Sequence, residues 1–364
     1  MTRNAIEETL KAEVSRPRVA YDARPLRPGV RFWGVGRLLD NLLPRLRDRF
    51  ELVGLSFAFS GAAEEGIATW PVVPKLTTLL FEASPLMVRG GSVYWGTNHF
   101  LPQIIPGRSV LSVHDLLLLT DPEGWEPPWY FVRRFVSALR RAHRIAALSK
   151  TTADDLVTRF PELSRKIEVI HPAVDVEDAP GCSGEARAHA PADRPYVVML
   201  GAHKRRKNLE LAVAAAEQVG ADKRLKLIVT GSVDRSYADL VRASAPTVEL
   251  SGALSRNGLS ALLAGATALL FPSRYEGFGL PIIEAMALGC PVLALDTPIS
   301  REAGGCAARF LPDDPRAWAD AIERLLDSRT EGEEMRQAGH ENVARFSWDK
   351  AARQYSELFA SLAG

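Results

Sequence analysis

Only three cysteines occur in 364 residues: Cys182, Cys290 and Cys306. Their spacing matches neither a zinc site nor a redox pair, and an odd number argues against a disulfide framework. A reducing cytosol is the compartment expected. Charge of one sign is also missing. Lys and Arg number 45 against 44 Asp and Glu, and residues 1–190 and 191–364 carry +2 and −1. So even a balance leaves no basic footprint for nucleic acid. No run approaches ~18 uninterrupted apolar residues, so no membrane span is read. The leading MTRNAIEETLKAEVSRP has no apolar core of the kind a secretory signal needs. The sequence also lacks an Asp-any-Asp motif and any His/Asp/Glu cluster at metal-ligand spacing. No metal or other cofactor is expected.

What is present is the composition of a soluble globular protein, 46% hydrophobic and 24% charged. A chain this long suits two domains better than one. Short apolar runs alternate with longer amphipathic ones, the pattern of an α/β protein with parallel sheets. RVAYD (18–22), ELVGLSFAF (51–59), SVYWGT (92–97), SVLSVHD (109–115), RIAALS (144–149) and KIEVIHPAVD (166–175) read as strands, with helices over 35–50 and 129–143. Periodicity then fades in the Ala-, Pro- and Gly-rich stretch around 178–195, which marks a linker. Beyond it, YVVMLG (196–201), LKLIVTG (225–231), VEL (248–250), TALLFPS (267–273) and PVLAL (291–295) read as strands between helices. The organisation expected is a tail over 1–16, a first domain over 17–180, a linker over 181–194, a second domain over 195–346 and a closing helix over 347–364. Ligands of open α/β sheets sit beyond the carboxyl ends of the strands. A cleft between two such domains is therefore the expected site.

One stretch there is unusual: RYEGFGLPIIEAMALGCPV, residues 274–292. Gly277 and Gly279 let a ligand approach the backbone. Pro281 suits the first turn of a helix, and Gly289 ends it. The free N–H groups of such a helix start bind anions, and a diphosphate is the expected guest. A second anion would be repelled there. Glu276 and Glu284 are therefore expected to turn from phosphate and accept hydrogen bonds from hydroxyl groups, one on a hexose and one on a ribose. The plainer alternative makes Glu284 a carboxylate favoured by the helix dipole and Glu276 a solvated turn residue.

This stretch resembles the signature of retaining glycosyltransferases of the GT-B fold, family-4 type, in which seven residues separate two glutamates. The resemblance runs from about Arg18 to Ala363. It implies a nucleotide-sugar donor and two Rossmann-like domains facing a central cleft. It also implies a last helix that crosses back to the N-terminal domain. On this resemblance Glu276 faces the sugar and Glu284 the ribose, while Gly277, Phe278, Gly279 and Leu280 meet the diphosphate. Arg206 and Lys207 of LGAHKRRKNLEL (200–211) contact the same diphosphate, with Lys204 and Arg205 left to solvent. Gly36, in PGVRFWGVGRLLDNLL (28–43), reaches it from the opposite domain, beside Arg37 and after the aromatic pair Phe32 and Trp33. His114 contacts the transferred sugar or its phosphate. Leu254 and Ser255 cup the nucleobase, in a loop where many members carry an acidic residue. Glu302 matches a structural Glu.

Candidates for the acceptor are Asn98, His99, Asp115 and Trp125, in or near segments where aromatic faces stand beside polar groups. Tyr94 and Trp95 read equally as acceptor contacts or as core. Departure of the diphosphate is expected to be assisted by Arg206, Lys207 and helix-start N–H groups without a metal, with configuration retained and no enzymic nucleophile assigned. The YDARPL start, NHFLP and HDLLLL resemble mannosyltransferases of bacterial surface polysaccharides, which favours GDP-mannose. UDP-glucose, UDP-N-acetylglucosamine and dTDP-rhamnose stay open. The acceptor expected is a saccharide, free or lipid-linked. Arg133, Arg134, Arg140, Arg141 and Arg144 read first as a solvated face, with peripheral contact to anionic lipid at the inner face of the membrane as the alternative. The rivals from other classes are a sugar-nucleotide epimerase and a non-catalytic sugar-nucleotide-binding partner.

Overall fold

The computed structural model describes residues 16–26, 34–58, 67–71, 93–105, 107–120, 128–175, 194–202, 204–219, 223–244 and 246–363. The expected tail and linker lie outside these residues, Arg16 and Arg194 apart, as do Phe32, Trp33 and Trp125.

Two parallel sheets organise the chain. The first holds β1 (Arg18–Asp22), β2 (Glu51–Ala58), β3 (Ile67–Pro71), β4 (Val93–Gly96), β5 (Arg108–Val113), β6 (Arg144–Ala147) and β7 (Ile167–Val169). Its order is β3-β2-β1-β4-β5-β6-β7. The second holds β8 (Tyr196–Ala202), β9 (Lys226–Val233), β10 (Val248–Gly252), β11 (Ala268–Phe271), β12 (Val292–Leu295) and β13 (Arg309–Leu311), ordered β10-β9-β8-β11-β12-β13. Every pairing is parallel. Strands such as ALLF and VLAL are apolar throughout and buried at every position, because helices cover both faces of such a sheet.

The first domain carries α1 (Gly34–Leu46), α2 (Leu117–Thr120), α3 (Trp129–Arg141) and α4 (Lys150–Arg159). The second carries α5 (Leu209–Gln218), α6 (Ala238–Ala243), α7 (Arg256–Ala264), α8 (Leu280–Ala287), α9 (Pro298–Gly304), α10 (Pro315–Asp327) and α11 (Arg329–Val343), and α12 (Trp348–Leu362) ends the series. The strands β3 and β13 and the helices α2, α4, α6 and α9 were not among the elements expected. In both sheets the strand order reverses, between β1 and β4 and between β8 and β11. Such reversals open crevices at the carboxyl ends of the strands.

The closing helix crosses back as expected. Tyr355 and Phe359 of α12 pack on Trp95 of the first sheet, with ring centroids 4.9 and 5.4 Å away. The Tyr355 hydroxyl lies 2.8 Å from Ser112 Oγ, which also accepts from Trp95 Nε1 at 2.9 Å. Gln354 Nε2 donates to the Val169 carbonyl. One apolar cluster thereby runs from Val19 and Trp95 through Phe278 and Ile282 to Phe359. Tyr94 and Trp95 are fully buried in cores, so neither meets an acceptor. The architecture is the GT-B arrangement of two α/β domains with a helix returning from the second to the first.

Candidate functional site

The site grows from the reversal between β8 and β11. After β8 the chain makes a tight turn over Arg205–Lys207, and Asn208 takes a left-handed conformation, φ 57°, to start α5. After β11 it runs through Ser273, Arg274, Tyr275 and Glu276. Backbone pins the two turns together: Arg274 N donates to Arg206 O at 2.8 Å, and Arg206 Nη1 donates to Tyr275 O at 3.0 Å. This alignment brings three donors onto one oxygen of Glu276. Lys207 Nζ is 2.6 Å from Oε1, Arg206 Nη1 is 2.9 Å and Ser273 Oγ is 2.7 Å. All three charged side chains are buried to within 14% of exposure. Burial alone would push the Glu276 carboxyl up. The charges of Lys207 and Arg206, with hydrogen bonds from Lys207 and Ser273, outweigh it and hold the carboxyl below the usual range. Glu276 is thus no solvated turn residue. The cations assigned to the diphosphate and the carboxylate assigned to the sugar are bound to each other.

The glycine turn that follows meets the other domain. A Cβ on Gly277 would lie 2.0 Å from the His114 carbonyl oxygen, so the position tolerates no side chain. The Gly277 carbonyl accepts from Ser149 Oγ at 2.7 Å and from Thr152 Oγ1 at 3.2 Å, both at the start of α4. The close approach that Gly277 permits is therefore taken by His114. Phe278 buries its ring between His171 and Phe346, leaving only its backbone for a ligand. Gly279, with φ +92°, precedes α8 without a side-chain cap, and Pro281 follows in the first turn. Tyr275 bridges the same gap. Its hydroxyl accepts from Leu116 N at 2.9 Å, and burial pushes its pKa up to about 12.

His114 ends β5. Its Nε2 sits 2.7 Å from the Thr97 carbonyl, which can only accept, so Nε2 carries the proton. Burial, reinforced by neighbouring His99, pulls its pKa down to about 4. The ring is neutral near pH 7, with a lone pair on Nδ1. Asp115 does not orient it. Asp115 Oδ1 accepts from Leu117 N at 3.0 Å and faces His99 Nε2 at 3.9 Å. His99, at φ 57°, stands edge-on to His114 with centroids 5.4 Å apart. Asn98 is nearby, its carbonyl accepting from Phe100 N.

A second helix start meets α8 across the cleft. A Cβ on Gly34, at the head of α1, would fall 3.7 Å from Leu280 Cδ1. Gly36 is buried in the same first turn, and Arg37 forms an ion pair with Glu284. The positive ends of two helices therefore face one region. Leu254 packs half-buried against the core, and Ser255 caps α7, its Oγ accepting from Gly258 N at 3.1 Å.

Two features escaped the sequence reading. Ser149 and Thr152 clasp Gly277, and a Ser-x-x-Thr after a strand was their one signal. Tyr275 reaches Leu116, and nothing local marks that. Glu302 was read as structural. It accepts from Lys150 N, Thr151 N and Thr151 Oγ1 at the head of α4 and from His171 Nε2 at 2.8 Å, fastening the domains together. Beyond Glu276 lies a cleft of about 550 Å³ lined by both domains, including Leu116, Asp155, Arg159, Tyr275 and Ile299. On α3, Arg141 donates to the carbonyls of Pro102 and Gln103. Arg133 and Arg134 instead lie over Trp129 and Phe100. Among the described residues, no three His, Cys, Asp or Glu side chains are grouped to hold a metal, and no helix is long and apolar enough to cross a membrane.

Comparison with known proteins agrees with this geometry. Residues 33–178 match the model described as Glycosyltransferase Family 4, and residues 194–328 match Glycosyl transferases group 1. An O-antigen chain mannosyltransferase, RfbU of Salmonella typhimurium, is 28% identical over 236 residues, 63% of each chain. An MMP alpha-(1->4)-mannosyltransferase of Mycolicibacterium hassiacum is 31% identical over 248 residues, 63% of this chain and 58% of that one. The chain thus matches less than two thirds of either relative's length. Anabaena HepE, solved with UDP-glucose, superposes at a TM-score of 0.74 and 16% identity, covering 95% of this chain and 100% of that one.

Proposed function

The chain belongs to the family-4, group 1 glycosyltransferases, and from that premise we propose that it transfers a hexose from a nucleotide sugar with retention of configuration. The observation that carries this reading is the convergence of Arg206, Lys207 and Glu276 beside the Gly277–His114 contact. Cations at a helix start stabilise the charge that grows on a departing diphosphate, and they do so most in a site that excludes water. Removing one such donor typically costs ~10²–10³ in turnover. The second reversal, between β1 and β4, brings the head of α1 and Arg37 to the same region.

In this reading the diphosphate lies between the starts of α1 and α8, against Arg206 and Lys207. Glu284 takes the ribose and Glu276 the sugar hydroxyls. Neutral His114 accepts from a sugar hydroxyl through Nδ1. Leu254 and Ser255 flank the base. Attack comes from the face the diphosphate leaves, with the leaving phosphate as base, and no side chain serves as nucleophile. Two fixed cations already stand where a divalent metal would act, so turnover is expected to persist in EDTA.

GDP-mannose is the favoured donor, supported by relatives named mannosyltransferases and by the YDARPL, NHFLP and HDLLLL elements. The acceptor is a saccharide, free or lipid-linked, of a surface polysaccharide. Asn98, His99 and Asp115 line its side. Contact with the inner face of a membrane falls to Arg133 and Arg134 beside Trp129, whose ring is 68% exposed. The test is a panel of GDP-mannose, UDP-glucose, UDP-N-acetylglucosamine and dTDP-rhamnose, read by release of nucleoside diphosphate. Binding of none of them sinks the transferase reading, whereas interconversion of sugars without release marks an epimerase.

A further inference from the structure

Both glutamates of the turn hold cations. Glu276 Oε1 takes Lys207 and Arg206 at 2.6 and 2.9 Å, and Glu284 takes Arg37 from the opposite domain. We propose that these carboxylates are counter-ions that a donor diphosphate displaces from their cations. An incoming diphosphate takes their cations, and only then are the carboxylates free to accept from hydroxyl groups. This rests on the nucleotide-sugar reading.

The argument is one of charge and of partners. Two cations share one oxygen of Glu276, and the side chains of Arg206 and Lys207 are only 13% and 12% exposed. Left bare, they would repel one another with little water to screen them. Glu276 prevents this by accepting from both, and Glu284 neutralises Arg37 in the same way. A diphosphate brings several oxygens and more than one charge, so it outcompetes a single carboxylate oxygen. A neutral hexose brings neither. To reach Glu276 it would have to break buried ion pairs and put nothing in their place, which is unfavourable. Recognition of the diphosphate therefore precedes recognition of the sugar, and the two are linked reciprocally.

The test titrates inorganic pyrophosphate into the protein and into Glu276→Gln, which keeps the length and the Ser273 hydrogen bond but removes the charge. Exchange predicts that Glu276→Gln binds pyrophosphate more tightly, by about tenfold, a usual size for coupled sites. Equal or weaker binding overturns it, because a carboxylate that merely organises the cations would be missed. A thermal melt of both proteins guards against misfolding. The same idea is read on the unaltered protein by the affinity of mannose, glucose and N-acetylglucosamine with and without saturating GDP or UDP. At least one hexose should tighten about tenfold when the matching diphosphate is present. Hexose affinity that neither diphosphate changes overturns the exchange. Failure of the wider reading looks different: the unaltered protein then binds neither pyrophosphate nor any of GDP, UDP and dTDP.

Discussion

At the end of β11 the second domain gathers charge: Arg206 and Lys207 both lie within 2.9 Å of Glu276 Oε1. At the end of β5 the first domain gathers neutral groups. His114 donates to a backbone carbonyl, and Thr97 Oγ1 donates to the Asp22 carbonyl at 2.7 Å. The two sheets share their reversal of strand order and their parallel pairing, so topology does not cause the difference. The chemistry of the turn residues does. The β11 end gathers an ion-paired cluster, and the β5 end presents an uncharged ring that cannot compete for an anion. Where they touch, at Gly277 and His114, contact runs through the His114 backbone and not through its ring.

This division can be broken at its charged side first. Lys207→Met should lower turnover by about 10²–10³ while leaving the fold in place, measured as kcat beside a thermal melt. Unchanged kcat would remove Lys207 from the diphosphate. Next comes the seam. Gly277→Ala sets a Cβ 2.0 Å from the His114 carbonyl. Overpacking of this kind costs about 1–3 kcal/mol, read by denaturant unfolding. A wild-type melt for this variant would mean the seam opens freely.

The neutral side is probed by pH. The unfolded chain protonates His114 at the ordinary imidazole value of 6.5, whereas the folded chain waits until about 4. Between these values the unfolded state binds more protons, so stability should fall as pH drops through that window. His114→Gln should flatten part of that slope in melts taken from pH 7 to 4. The smallest effect is expected far from both strand ends. Asp349, 69% exposed, pairs with Arg45 at 2.7 Å. Its replacement by Asn should cost about 0.5 kcal/mol or less, and a larger loss would show that α12 is held by charge rather than by its rings.

Much of this was legible before any coordinates. Alternating apolar runs gave the strands, and Pro281 and Gly289 bracketed the α8 segment, because local chemistry acts at short range. β13 was not legible: three residues, RFL, carry no period. The ionic partners were legible as residue types but not as pairs. Arg37 and Glu284 lie 247 positions apart, and sequence spacing says nothing about which cation a carboxylate meets. Trp125 and the linker stretch lie outside the described residues, so their roles rest on sequence.

The return of α12 has a consequence for how the molecule is made. Trp95 belongs to the domain synthesised first, yet the rings that cover it, Tyr355 and Phe359, are added after both sheets have been translated. Until then the first domain emerges with one side of its largest buried ring uncovered. The order of synthesis and the order of completion are therefore opposite. The first domain on the ribosome is the last to be sealed, and an interruption late in translation leaves the damage at the beginning of the chain.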